Sequence, residues 1–520
     1  MKTYLMYRDR DFDIERMLPP HEKALTQDLE LHTLFNAMAC GDDFLLHVAR
    51  KAVLLGETDV DTILYRQAVL RDCLNNSSVV RDIYDIAVDT LEKRRSGYWG
   101  FAIRYPGGVL SSSIDVLQMA VVRLQKLRHI ANTYSCDFSS QGFNAFFATI
   151  KRELDDEFFA EVSDHLKLLK FRDGVPVSAE LGDGDHGVNY ILHRPRRPAS
   201  WIRRIFATGS PTYTYRIADR DDAGARALSD LRDRGVSLVA SALAQSTDHI
   251  INFFRMLRME LAFYVGCLNL HRQLILTGTP VSFPEPAALW ERTLSFGELY
   301  DPCLALTMQR KVVGTDLPAK NAGLFIITGA NQGGKSTFLR SVGLALLMMQ
   351  CGMFVAANAF RSNVCDGLFT HYKRQEDVTM KSGKFDEELS RMSDIVDHIT
   401  PNSVLLCGES FSATNEREGS EIARQIVSAL LETGIKIFFV THMYDFAHGF
   451  FIGSPRKVVL LRAERLVDGR RTFKLSEAEP LQTSYGPDLY ERICGRDQTT
   501  EYSGCSEPRE TREKSPLFSP

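Results

Sequence analysis

A chain of 520 residues exceeds what one hydrophobic core supports, so about two to four domains are expected. Its 44% hydrophobic and 25% charged residues are those of a soluble globular protein, and a net charge of -4 excludes whole-surface attraction to a polyanion. Any nucleic-acid contact must therefore use a local basic patch. Ten scattered cysteines without a C-x-x-C pair exclude a disulfide framework or a cysteine zinc site. The charged N-terminus lacks the apolar core of a signal, and no apolar run reads as long enough to span a bilayer. The expectation is an intracellular, cytoplasmic protein without a membrane partner, nucleoid-associated in a bacterial cell.

After an N-terminal segment, 1–28, proline placement divides the chain. None occurs between Pro20 and Pro106, between Pro106 and Pro176, or between Pro211 and Pro280. Proline costs roughly 3 kcal/mol inside a helix, so these gaps permit long helices. Residues 29–280 then read as a helical core with levers. Ile250, Phe253, Phe254, Leu257, Leu261, Val265 and Leu268 recur at the spacing of one buried helix stripe. That stripe fits an ordinary core helix as well as a strut between distant domains.

Residues 169–216 break the helical pattern. Gly174, Gly182, Gly184, Gly187 and Gly209, with short runs at Val188–Leu192 and Tyr213–Tyr215, predict a small β-rich insertion. Arg194, Arg196, Arg197, Arg203 and Arg204 interleave with His193 and Trp201. Such a cluster suits phosphate contact, and it suits a solvated basic loop equally well.

Residues 281–495 change period. Short apolar runs at 324–328, 403–407 and 435–441, separated by helix-length segments, predict a parallel sheet with helices on both faces. The first run leads into Gly329-Ala330-Asn331-Gln332-Gly333-Gly334-Lys335-Ser336-Thr337, the G-x-x-x-x-G-K-S pattern of a phosphate-binding loop. Backbone N–H groups and a helix N-terminus would cradle phosphates there, Lys335 would reach the β- and γ-phosphates, and Ser336 would ligate Mg²⁺. ATP with Mg²⁺ is thus the expected cofactor. The second run ends at Glu409, placed to orient water and to help hold the metal. The third ends at His442, near the expected γ-phosphate. Residues 496–520 are polar and aperiodic and are expected to be disordered.

These motifs together resemble the MutS family of DNA mismatch-repair ATPases. TGANQGGKSTFLRSVGLALLMMQCGMFVAA is similar to its phosphate loop and following helix. KSGKFDEELSRMSDIV resembles its signature loop, with Ser382 and Gly383 in register. SVLLCGESFSATNEREGSEIA resembles its Asp-Glu strand, FFVTHMYDFA its switch histidine, and TSYGPDLYERICG its closing segment. Upstream, LELHTLFNAMACGDDF and YRQAVLRDCL are similar to its helical core. The resemblance implies a multidomain protein: a helical lever region with a clamp-like insertion, then an α/β P-loop ATPase domain of ABC type. It also implies a homodimer in which Ser382 meets the γ-phosphate held by the other subunit's Lys335, and DNA and repair proteins as partners. By the same resemblance Tyr300 would pack on adenine.

Two departures qualify these expectations. About 30 residues precede the core resemblance, too few for the family's mismatch-reading domain, so the chain reads as a truncated relative. Gly408 stands where the family has Asp. A scaffold gated by nucleotide with little hydrolysis is therefore the alternative function. A motor of the structural-maintenance or transporter type ranks third, because Met380-Lys381-Ser382-Gly383-Lys384 lacks an L-S-G-G-Q-like signature.

Overall fold

The computed structural model describes residues 1–96, 105–172, 174–194, 213–374, 383–453, 458–466 and 469–482. Ser382, Arg196, Arg197, Trp201, Arg203, Arg204, the closing segment and the tail at 496–520 lie outside the described residues.

Helices come first: α1 Glu22–Asp28, α2 Leu31–Ala39, α3 Asp43–Leu54, α4 Val60–Asn75, α5 Ser77–Ser96, α6 Pro106–Tyr134, α7 Gln141–Glu153 and α8 Asp156–Leu169. Polar caps set several starts, Asp59 accepting from the Thr62 N–H and Asp155 from the Phe158 N–H. A hairpin of β1 Val177–Leu181 and β2 Gly187–Leu192 follows, and then α9, Asp222–Leu276. The 55 residues of α9 make a rod about 80 Å long at 1.5 Å per residue. Its C-terminal half, from Ile251 to Leu274, is rooted in the main core, while Leu228, Leu231 and Leu238 near its other end are exposed. The hairpin packs on that outer half, where Val177 fills the space beside Gly235.

Sequence and structure agree on a long proline-free helix and on a strand at Val188–Leu192, but Tyr213–Tyr215 is exposed and forms no strand. The bilayer expectation is also corrected. The stretch Pro106–Asp137 is long and apolar enough, by length and composition alone, to cross a membrane. In this fold Leu110, Ile114 and Leu117 of that stretch instead meet Val236 and Ala240 of α9.

The C-terminal half holds two sheets. One has the order β3-β7-β4-β5, formed by Glu285–Ala287, Ala359–Asn363, Leu294–Leu299 and Thr315–Lys320. Helix α10, Pro302–Met308, follows β4. The other sheet has the order β12-β11-β6-β10-β9-β8. Its strands are β6 Leu324–Gly329, β8 Leu368–Tyr372, β9 Val404–Gly408, β10 Lys436–Val440, β11 Val458–Arg465 and β12 Arg471–Glu477. All neighbours in it are parallel except β11 and β12. The helices α11 Lys335–Gln350, α12 Lys384–His398, α13 Glu416–Glu432 and α14 Tyr444–Gly453 cover it. Strand alternation divides the packing. Phe325 and Ile327 join the main core with Leu339 and Val342 of α11, whereas Leu324 and Ile326 face Val427 of α13 and Phe446 of α14.

The first residues are threaded through the core. Arg66, fully buried, donates to the Met6 carbonyl at 3.0 Å, to the Cys351 carbonyl beyond α11, and to Glu57. Glu260 of α9, also fully buried, accepts from the Leu5 N–H at 2.7 Å. Burial pushes the Glu260 carboxyl up to about 7, against the hydrogen bonds it receives.

Candidate nucleotide site

The loop from 329 to 337 is shaped by what its glycines allow. Gly329 ends β6 at φ +112, and a Cβ there would lie 2.9 Å from the Ala463 N of β11. A Cβ on Gly333 would meet the Ala463 Cβ at 2.8 Å. Only glycine lets the loop lie this close to its neighbouring strand. Gly334, at φ +89, precedes α11 and supplies no side-chain cap, so first-turn N–H groups stay available to an anion. Asn331, Gln332 and Ser336 are exposed, Ala330 is buried, and Thr337 is half-buried.

Lys335 is buried and donates to the carbonyls of Gly329 and Ala330, each at 3.1 Å. Burial pulls its ammonium down to about 8, partly opposed by the charge of Glu409. The lysine is held by the loop it serves and is already under the influence of a carboxylate from another strand.

Glu409 and His442 come from the ends of adjacent parallel strands. The Glu409 N–H donates to the Val440 carbonyl at 2.9 Å, and the Thr441 N–H to the Ile327 carbonyl at 3.0 Å. These bonds set β6, β9 and β10 level at one end of the sheet, where open α/β sheets bind ligands. Glu409 sits at φ +55, a conformation uncommon outside glycine, and contacts His442 Nε2 at 3.0 Å. That hydrogen bond holds its carboxyl below the usual range, with Lys335 and Lys373 adding to the effect. A cleft of about 450 Å³ is lined by Ser336, Tyr372, Lys373, Arg374, Lys384, Gly408 and Glu409.

The structure therefore brings the loop, Glu409 and His442 together. Arg194 is exposed just beyond the hairpin and belongs to no part of the cleft. Tyr300 does not suit base stacking: it is 1% exposed, packed with Ala305 and Ala356, and its hydroxyl is pushed up to about 12 by burial.

Two neighbours of the loop carry no sequence motif. Arg471 of β12 donates through Nε to the Asn331 carbonyl at 2.7 Å. Phe473, two residues on, is 51% exposed and lies with its backbone against Gly334. Alternation along β12 places both by the loop, and only the pairing of β12 with β11 reveals it.

A long-helix region joined to a glycine-loop α/β sheet is the class that this fold defines. The family model for the MutS2 N-terminal domain matches residues 58–276, and that for MutS domain V matches residues 325–472. The DNA mismatch repair protein MutS of Chloroflexus aurantiacus is 30% identical over 215 residues, 39% of this chain and 22% of that protein. That of Desulforamulus reducens is 36% identical over 134 residues, 26% of this chain and 15% of that protein. Endonuclease MutS2 of Thermus thermophilus is 29% identical over 157 residues, 30% of this chain and 20% of that protein. The chain belongs to the MutS family. The matched stretches span no more than 22% of these relatives' own lengths.

Proposed function

We infer that this chain is an ATP-dependent DNA-binding protein of repair or recombination. The reading is carried by one convergence: the loop after β6, Glu409 after β9 and His442 after β10 meet at one end of one sheet. In this reading Lys335 and the α11 N-terminus hold the phosphates, and Glu409 orients the attacking water. His442 reports the state of the γ-phosphate through Glu409. The family resemblance adds a homodimer with composite sites, Ser382 facing the other subunit's loop, and α9 transmitting closure towards the hairpin as a DNA clamp.

The test is steady-state ATP hydrolysis with no DNA, perfect duplex, mismatched duplex and branched DNA. Turnover raised by one DNA form and abolished in Lys335→Ala supports the reading. ATP-driven dimerisation without turnover on any DNA supports the alternative, a nucleotide-gated scaffold. The glycine at 408 favours that alternative, because it removes a carboxylate from the strand end that faces the phosphates.

A further inference from the structure

The geometry points to a nucleotide site that does not depend on a divalent cation: the Lys373 ammonium supplies the charge that a carboxylate-held magnesium ion supplies in other P-loop sites. This inference rests on the nucleotide reading above and specifies how the site neutralises its ligand.

The donor set fits magnesium poorly. Mg²⁺ demands near-octahedral oxygen ligation and is usually anchored by one or two carboxylates besides phosphate and water. Among the described residues, the oxygen-bearing side chains on the cleft that suit it are Ser336 and Glu409, and the Oε1 atom of Glu409 is already engaged by His442 at 3.0 Å.

A carboxylate at residue 408 would need the ring of Tyr372 to give way by a few tenths of an ångström. A Cβ there would lie 3.0 Å from Cγ and 3.1 Å from Cδ1 of Tyr372. Those distances fall inside ordinary contact, and the atoms met belong to a rigid ring. The large residue on β8 and the missing side chain on β9 are therefore one packing arrangement, fixed by the parallel register Tyr372↔Gly408.

What takes the place of the metal charge is also visible. The Lys373 N–H donates to the Gly408 carbonyl at 2.8 Å, which fixes the Lys373 backbone beside residue 408. Its exposed side chain lines the cleft with Arg374 and Lys384, and its charge is felt at Glu409. A cation so placed repels a metal ion and attracts a polyphosphate.

The deciding experiment is calorimetric titration of the full chain with ATP, in excess magnesium and in excess EDTA. The expected dissociation constants agree within about threefold, and Lys373→Gln weakens binding about tenfold in EDTA. Lys373 is exposed, so this variant should fold. The pair Tyr372→Ala with Gly408→Asp should in contrast bind tighter with magnesium than with EDTA. Wild-type binding that falls tenfold or more in EDTA would overturn the inference, as would a neutral Lys373→Gln. In either case the nucleotide reading itself would stand. ATP binding in neither buffer would sink both, and Lys335→Ala shows that any heat measured belongs to the loop.

Discussion

The imidazole of His442 and the carboxylate of Glu409 hold each other at 3.0 Å across the ends of two parallel strands. The pair fixes a half-buried carboxylate beside the phosphate loop in its ionised form, the state needed to accept a proton from water. Glu409→Gln is expected to lower ATP turnover by roughly 10²- to 10⁴-fold with ATP affinity little changed. In His442→Ala the Glu409 carboxyl loses its main stabiliser. Turnover is expected to fail as pH falls through that carboxyl's pKa, and should then fail at a higher pH in the variant than in the wild type. A pH–rate profile of both proteins checks this, and superimposable acid limbs would separate His442 from Glu409's ionisation.

Lys335 should make nucleotide binding sensitive to alkali. Burial pulls its ammonium down to about 8. A bound polyphosphate favours the charged form and raises that value, so binding takes up a proton above pH 8. ATP affinity should hold steady below about pH 7 and fall by several-fold towards pH 9. Titrations in buffers of different ionisation enthalpy would expose the proton directly. A flat affinity over this range would contradict the burial that the structure gives Lys335.

Phe473 offers the exposed aromatic face that Tyr300 lacks. Base stacking on an aromatic ring is worth roughly 1–3 kcal/mol, so Phe473→Ala should weaken ATP about fivefold or more. Inorganic pyrophosphate, which has no base, should be unaffected. Competition of both ligands against a fluorescent nucleotide measures the difference, and equal losses would assign Phe473 to loop packing.

Glu260 makes the root of the lever sensitive to pH. Its carboxyl is raised above the ordinary value, to about 7, so the folded state favours the protonated form. Stability from this group is fully present below about pH 4.5 and is lost as pH rises through about 7. The loss by pH 8 amounts to at most about 3 kcal/mol. Thermal unfolding from pH 5 to 8 should show a declining melting temperature in the wild type and a flatter one in Glu260→Gln. Parallel declines would remove Glu260 as the cause.

What the sequence alone determined is local. The phosphate loop is contiguous, its glycines are required by backbone conformation, and the run before it is apolar on both faces because both faces are covered. The long helix was legible because proline is absent over its whole length. The run Tyr213–Tyr215 misled, since β propensity makes no strand without a partner to pair with.

Tertiary structure decided whatever depends on strand neighbours. Arg471 reaches Asn331 across 140 residues of chain because β12 pairs with β11 and β11 with β6. Glu409 meets His442 because parallel strands end in register. Tyr300 looked available in sequence and is buried, while Phe473, which carries no motif, is exposed beside the loop. Gly408 read as a lost ligand; the ring of Tyr372 over it shows that the loss is packed into the sheet. Each of these is a contact between distant segments, set by sheet order and register, and no local pattern of residue types encodes them.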